Sequence, residues 1–185
     1  LAFAKNHADK VSCLILESAV TKPWFHYFTF HYWICRRLLS AKNQGKFWSN
    51  LQGKVKKNPE KEIIKTLKLF TKKNPKHQYS VYNDEEKKMI KKLLFENDSG
   101  AGFVPDMEHR VGDLDTIVCP TLIIHSKFDN SVPFSHAAYA HRHVKNSTLF
   151  TAPVASHFLY LGPGSQSVLN KRLDFLKKYL HDKEK

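Results

Sequence analysis

The stretch TLIIHSKFDNSVP, Thr121 to Pro133, decides the fold. It opens on an uninterrupted apolar, β-branched run, the pattern of a strand buried on both faces of a parallel sheet. A polar turn follows and carries Asp129. Aspartate is a common turn residue for its own reasons, since its side chain bonds nearby backbone. A carboxylate just past the carboxyl end of a parallel strand also stands where open α/β sheets place their chemistry.

Two similar runs lie on either side. VSCLIL, Val11 to Leu16, predicts an earlier buried strand, with Glu17-Ser18-Ala19 at its carboxyl end. STLFTA, Ser147 to Ala152, predicts a later one. Phe134 to His143 and Gln166 to Leu180 read as helices, the second expected to turn Val168, Leu169, Leu173, Leu176 and Leu180 inward. Alternation of buried strands with helices predicts an α/β fold with a parallel sheet.

Residues 21–112 have another character. Pro23 suits the first turn of a helix, and WFHYFTFHYWICRRLL from Trp24 is aromatic nearly all round. Such a helix is buried on more than one side or lines a pocket, and core is the more frequent use of an aromatic stripe. Pro59 opens PEKEIIKTLKLFTKK, with Ile63, Ile64, Leu67 and Phe70 on one face. Asn83 and Glu86 have the spacing of a capping box, with acids in the first turn and lysines later. The expected organisation is a core from 1–20 and 113–185, interrupted by a helical insertion at 21–112.

Composition narrows the possibilities. The apolar content is ordinary for a globular chain, and no apolar run reaches membrane-spanning length. LAFAKNHADK lacks the order of a signal peptide, has no initiator Met and opens with apolar residues already at helical spacing. The chain is expected to be a fragment, or a product whose upstream part is missing. Cys13, Cys35 and Cys119 are odd in number and far apart, which argues against a disulfide framework or zinc site and fits a reducing, cytoplasmic setting. The formal charge of +13 is concentrated between Lys22 and Lys92. A solvated, lysine-rich surface accounts for it; attraction to an acidic substrate, a lipid surface or nucleic acid is the functional alternative. No nucleic-acid motif accompanies the charge, and lysine outweighs the arginine that bidentate base contacts favour.

Asp129 and His157 stand out. His157, in VASHFLY, follows the third strand as Asp129 follows the second. In parallel strands both loops emerge at one sheet edge. A carboxylate accepting from one imidazole nitrogen fixes the tautomer and leaves the other nitrogen free to act as a base. Glu17 is a rival acid for the same histidine. His136, His141 and His143 form H-x4-H-x-H without a carboxylate at useful spacing, so a metal site is not expected there. His125 reads as structural.

On these residues the chain resembles the α/β-hydrolase superfamily, in its C-terminal half. LAFAKNHADKVSCLILES resembles the end of the helix after the nucleophile and the next strand. CPTLIIHSKFDNSVP resembles the strand and turn of the triad acid, and TAPVASHF the segment of the triad histidine. The resemblance covers both ends and not the middle, where family members insert a helical cap. Ser126 and Ser156 stand where members often have glycine. No G-x-S-x-G occurs anywhere in the chain; the family pattern puts the nucleophile upstream of Leu1, so the chain alone is expected to be inactive.

The resemblance implies a serine hydrolase, by default a carboxylic ester hydrolase without cofactor or metal, with Asp129 and His157 catalytic. Trp24, Phe25, Tyr27 and Phe28 are the expected contacts for an apolar acyl or aromatic part of a small-molecule substrate. One rival keeps the fold with an Asp nucleophile, as in haloalkane dehalogenases and epoxide hydrolases, with Trp24, Tyr27, Tyr32 and Trp33 as candidate donors. A lyase like that of menaquinone synthesis is another. A non-catalytic truncated or binding protein with a basic lid is the third.

Overall fold

The computed structural model describes residues 1–24, 30–40, 42–95, 103–108 and 112–180. The chain forms two compact units: Leu1–Lys22 with Leu69–Asn74 and Val111–Lys185, and Pro23–Lys68 with Pro75–Arg110. The first therefore takes in a short piece of the stretch that the sequence assigns to the insertion.

The first unit is built on three parallel strands in the order β1 (Leu14–Glu17), β2 (Thr121–His125) and β3 (Ser147–Thr151). β1 starts later than its apolar run, because the backbone N–H of Val11 is taken by a 3-10 turn ending at Lys10. Leu16, Ile123 and Leu149 stand in one register row, so the carboxyl ends of the strands come level. The backbone N–H groups of Ser18 and Ala152 extend the ladder to Ile124 and His125 at 3.0 and 2.9 Å.

Every residue of β2 is buried. Ile123 packs with Leu16 against Ala137 and Ala140 of the helix Ser135–His143, and also near Ala4 of α1 (Ala2–Asn6). Leu122 and Ile124 face the other way, toward Val168 and Phe175 of the helix Ser165–Leu180. Helices on both faces explain why the strand is apolar throughout and not alternating. Full burial of each such side chain is worth about 1.5–3 kcal/mol.

The last helix departs from expectation. Val168 is buried, but Leu169, Leu173 and Leu180 are 40%, 44% and 50% exposed. Arg172 sets the rotation: its guanidinium grips both oxygens of Glu17 at 2.7 and 2.9 Å, and Val168 and Phe175 follow that side inward. Those leucines one residue off this line turn out.

In the second unit come α2 (Phe30–Leu38), α3 (Gln44–Lys57), α4 (Pro59–Leu67), α5 (Pro75–Ser80), α6 (Asp84–Phe95) and α7 (Phe103–Glu108), the remaining helices Ser135–His143 and Ser165–Leu180 being α8 and α9. Its buried residues include Val55, Ile63, Leu67, Tyr82 and Ile90. Asn58 caps α4 by accepting from the Lys61 N–H, and Pro59 occupies the first turn. The capping box forms, with Asn83 and Glu86 exchanging bonds of 2.9 Å. α4 stops at Leu67, so Phe70 does not share its face.

Candidate active site

The first unit brings Asp129 and His157 together. The turn after β2 folds Asp129 inward until it is wholly buried, and Oδ2 accepts from Nδ1 of His157 at 2.8 Å. A carboxylate only accepts, so Nδ1 carries the proton and Nε2 keeps its lone pair. Oδ1 accepts from the backbone N–H groups of Ser131 and Val132 at 2.8 and 2.9 Å. His125, at the end of β2, adds a fourth donor. Its Nε2 lies 2.9 Å from the Val132 carbonyl and 3.3 Å from Asp129 Oδ2. Because a carbonyl cannot donate, that nitrogen carries a proton and shares it between the two oxygens.

Burial alone would push the Asp129 carboxyl up. Hydrogen bonds from His125 and His157, the charge of His157 and the Val132 N–H outweigh burial and hold it well below the usual carboxylate range. The acid is therefore ionised at neutral pH despite its apolar surroundings.

Two hydrogen bonds hold the backbone of the histidine. Its N–H donates to the Phe70 carbonyl at 2.8 Å, and its carbonyl accepts from the Ser18 hydroxyl at 3.2 Å. Ser18 has φ of 45°, left-handed for a residue that is not glycine. That costs on the order of 1 kcal/mol or more, at the end of β1 beside His157. Thr71 forms an isolated antiparallel bridge with Asp129, its hydroxyl donates to the Ala155 carbonyl, and the Lys72 N–H donates to Phe128 at 2.8 Å. The segment around Phe70 thus braces the acid turn and the histidine loop at once.

The two serines that stand where glycine is frequent serve the same loops. Ser126, fully buried, donates to the Val154 carbonyl and accepts from the Phe128 N–H at 3.0 Å, tying one loop to the other. Ser156 accepts from the Phe158 N–H at 3.2 Å. His157 remains 26% exposed and opens on a cavity of about 170 Å³ lined by Glu17, Ser18, His157, Phe158, Leu159 and Tyr160.

Other candidates go elsewhere. The Glu17 carboxylate belongs to Arg172, and the partner of His157 Nδ1 is Asp129. His136 is buried, with Nδ1 accepting from the Thr21 N–H at 3.1 Å. His141 meets Ser147, and His143 lies 3.3 Å from Asp115. Among the described residues no His, Cys, Asp and Glu cluster is arranged to hold a metal. Burial pushes the thiols of Cys13 and Cys35 up, away from the thiolate a nucleophile needs. Trp24 is half-buried, while Phe25, Tyr27 and Phe28 lie outside the described residues. Tyr32 donates to Glu108 at 2.6 Å within the second unit.

The sequence pattern did not reveal the Phe70–Thr71 brace, the strained Ser18 or the share of His125 in Asp129. Only His125 had a local signal, a ring five residues into a strand and four before the acid.

A profile of TAP-like proteins matches residues 104–184, which carry both Asp129 and His157. The α/β hydrolase fold protein from Nakamurella multipartita superposes with a TM-score of 0.72 at 20% identity, covering 95% of this chain and 64% of that one. The chain has the α/β-hydrolase fold. Among curated relatives, the uncharacterized hydrolase YcgS of Bacillus subtilis (strain 168) is 25% identical over 181 residues, 96% of this chain and 64% of its own length. The serine hydrolase BPHL of Homo sapiens is 44% identical over 48 residues, 26% of this chain and 16% of BPHL. A thermophilic esterase from Thermogutta terrifontis, solved with malate bound, superposes with a TM-score of 0.64 at 17% identity, covering 96% of this chain and 60% of its own. The chain thus spans less than two thirds of the curated relatives it matches. No described helix is long and apolar enough to cross a membrane.

Proposed function

We propose that the complete protein is a serine hydrolase acting on carboxylic esters, with Asp129 as triad acid and His157 as general base. The observation that carries this is the 2.8 Å bond from His157 to a four-donor carboxylate at the carboxyl edge of a parallel sheet. Acid precedes histidine, the order of the superfamily. A serine hydrolase and an esterase among the similar proteins support the class.

In this mechanism His157 Nε2 takes the nucleophile's proton as it attacks the acyl carbon, then passes it to the leaving alcohol. Asp129 holds the ring. Water then releases the acid by the same route. The nucleophile and its oxyanion donors lie in sequence outside this chain, which alone does not turn over ester. Among the described residues β1 has no second neighbour, and this edge with the exposed Leu169, Leu173 and Leu180 fits a core that more polypeptide completes. The second unit, Pro23–Lys68 with Pro75–Arg110, serves as the cap, with Trp24, Phe25, Tyr27 and Phe28 meeting an apolar acyl or aromatic group. The Asp-nucleophile alternative is weaker, because Tyr32, one of its candidate cap donors, already donates to Glu108.

The test is fluorophosphonate labelling and p-nitrophenyl ester hydrolysis by the protein carrying the sequence upstream of Leu1. A labelled serine in a G-x-S-x-G motif, with hydrolysis lost in His157→Ala, is the expected result. An aspartate at that position, or full hydrolysis without His157, refutes it.

A further inference from the structure

Between Glu17 and Glu60 the chain has no acidic residue and eight lysines and arginines. The second unit turns part of this stretch into a surface. α2 is packed inside out: its buried residue is Tyr32, 1% exposed and hydrogen-bonded to Glu108. The opposite side carries Phe30, Trp33, Ile34 and Leu38, exposed by 77%, 55%, 38% and 44%. Arg37 stands among them at helical spacing. A run of four large exposed apolar side chains on nine residues of helix is an interaction feature, not ordinary surface scatter.

The stripe runs into a concavity of about 440 Å³. Arg37 and Leu38 line it from α2, and Lys46, Phe47, Leu51 and Lys54 from α3. Its lining holds three cations and no carboxylate. Arg36 pairs with Glu108 at 3.5 Å, whereas Arg37, Lys46 and Lys54 form no ion pair with the described residues. The occupant must therefore be apolar against the stripe and anionic against the hollow.

We propose that this α2–α3 face docks on an anionic phospholipid surface. Phe30, Trp33, Ile34 and Leu38 enter the boundary between headgroups and acyl chains, and the Arg37–Lys46–Lys54 hollow receives a lipid phosphate. Trp and Phe beside Lys and Arg is the composition of interfacial helices. Six of the eight cations are lysines. Lysine acts as a point charge without fixed fork geometry, which suits fluid headgroups better than the fixed acceptors of a folded partner or of base edges. The inference is independent of the proposed ester chemistry.

Co-sedimentation of the 185-residue chain with vesicles tests it, comparing phosphatidylcholine alone with phosphatidylcholine carrying about one third phosphatidylserine. Binding is expected on the anionic vesicles and is expected to weaken steeply with salt. Each neutralised cation is worth about fivefold, so Lys46→Gln with Lys54→Gln lowers partitioning about 25-fold. Trp33→Ser, on an exposed position, lowers it by about tenfold or more. Circular dichroism verifies that the variants keep their helices. Equal binding to both vesicles, or variants that bind like the parent, overturns the proposal. So does displacement by inorganic phosphate at matched ionic strength, which assigns the hollow to a small free anion. Absence of vesicle binding with a dimer that Trp33→Ser dissolves overturns it in favour of a second copy.

Discussion

Asp129→Asn is the sharpest perturbation of the site. The native carboxylate accepts four bonds: two backbone N–H groups on Oδ1, and His157 Nδ1 at 2.8 Å with His125 Nε2 at 3.3 Å on Oδ2. Asparagine keeps Oδ1 but sets an NH2 against two protonated ring nitrogens. His157 escapes by moving its proton to Nε2. His125 does not, because its Nε2–H is committed to the Val132 carbonyl at 2.9 Å. Two bonds to a charged acceptor become one neutral bond and one donor–donor conflict. At about 1.5–3 kcal/mol for each bond to a charged group, and with cheaper burial of an amide offsetting part of it, the loss is about 3 kcal/mol. For a chain of this size that lowers Tm by about 6–12 °C. Thermal melting reads the stability, and long-range 1H–15N correlation of the labelled imidazole reads the tautomer. Neutral His157 is expected as Nδ1–H in the parent and Nε2–H in the variant. A variant that melts within about 1 °C of the parent with His157 still Nδ1–H refutes the reasoning. Under the proposed function the same exchange is expected to cost the complete protein about 10⁴ in turnover, because the base then carries its proton on the wrong nitrogen.

His125→Leu, which strips a donor from both Asp129 and the Val132 carbonyl, is expected to destabilise by about 2–4 kcal/mol in urea titration, with His125→Gln recovering part through its amide N–H. Burial first, then electrostatic repulsion from Lys22 and the neighbouring His125 ring, hold the His136 ring down to about 4 from an ordinary 6.5, against the pull of Asp129. The unfolded chain therefore binds the proton that the native chain refuses. Stability is complete above about pH 6.5 and falls by up to about 3 kcal/mol as pH drops to about 4; His136→Gln flattens that slope in pH-dependent urea titrations. Gly164→Ala places a Cβ 2.3 Å from the Pro153 carbonyl oxygen at φ of 93° and is expected to lower Tm by several degrees in a thermal melt.

The strands were legible from their short β-forming runs, but burial on both faces holds only for TLIIH; β1 has one buried residue, Leu16, and every residue of β3 is half-buried or exposed. The meeting of Asp129 and His157 followed from parallel pairing, which brings successive strand ends to one edge. Local pattern failed where distant residues decide. LKLFTKK keeps helical spacing past Leu67, and nothing within it signals that Phe70 and Thr71 leave α4 for the loops of Asp129 and His157. α9 has leucines on more than one side, so its rotation waits on a pair between Glu17 and Arg172, 155 residues apart. Ser18 takes a backbone conformation for which glycine is the usual signal.

The Leu69–Asn74 segment also limits how this chain can be taken apart. A cap spliced in at two points could be cut out and its ends rejoined. Here the thread returns mid-way, and Phe70 and Thr71 clasp residues that lie some tens of positions further along. Excising 23–110 as a block would carry off the clasp and leave the acid turn and the histidine loop to find each other unaided. The same clasp requires three stretches far apart in the chain to converge, and each loop closure costs entropy. Exchange of the second unit should therefore be spliced around 69–74, in two pieces, with that strip left in place.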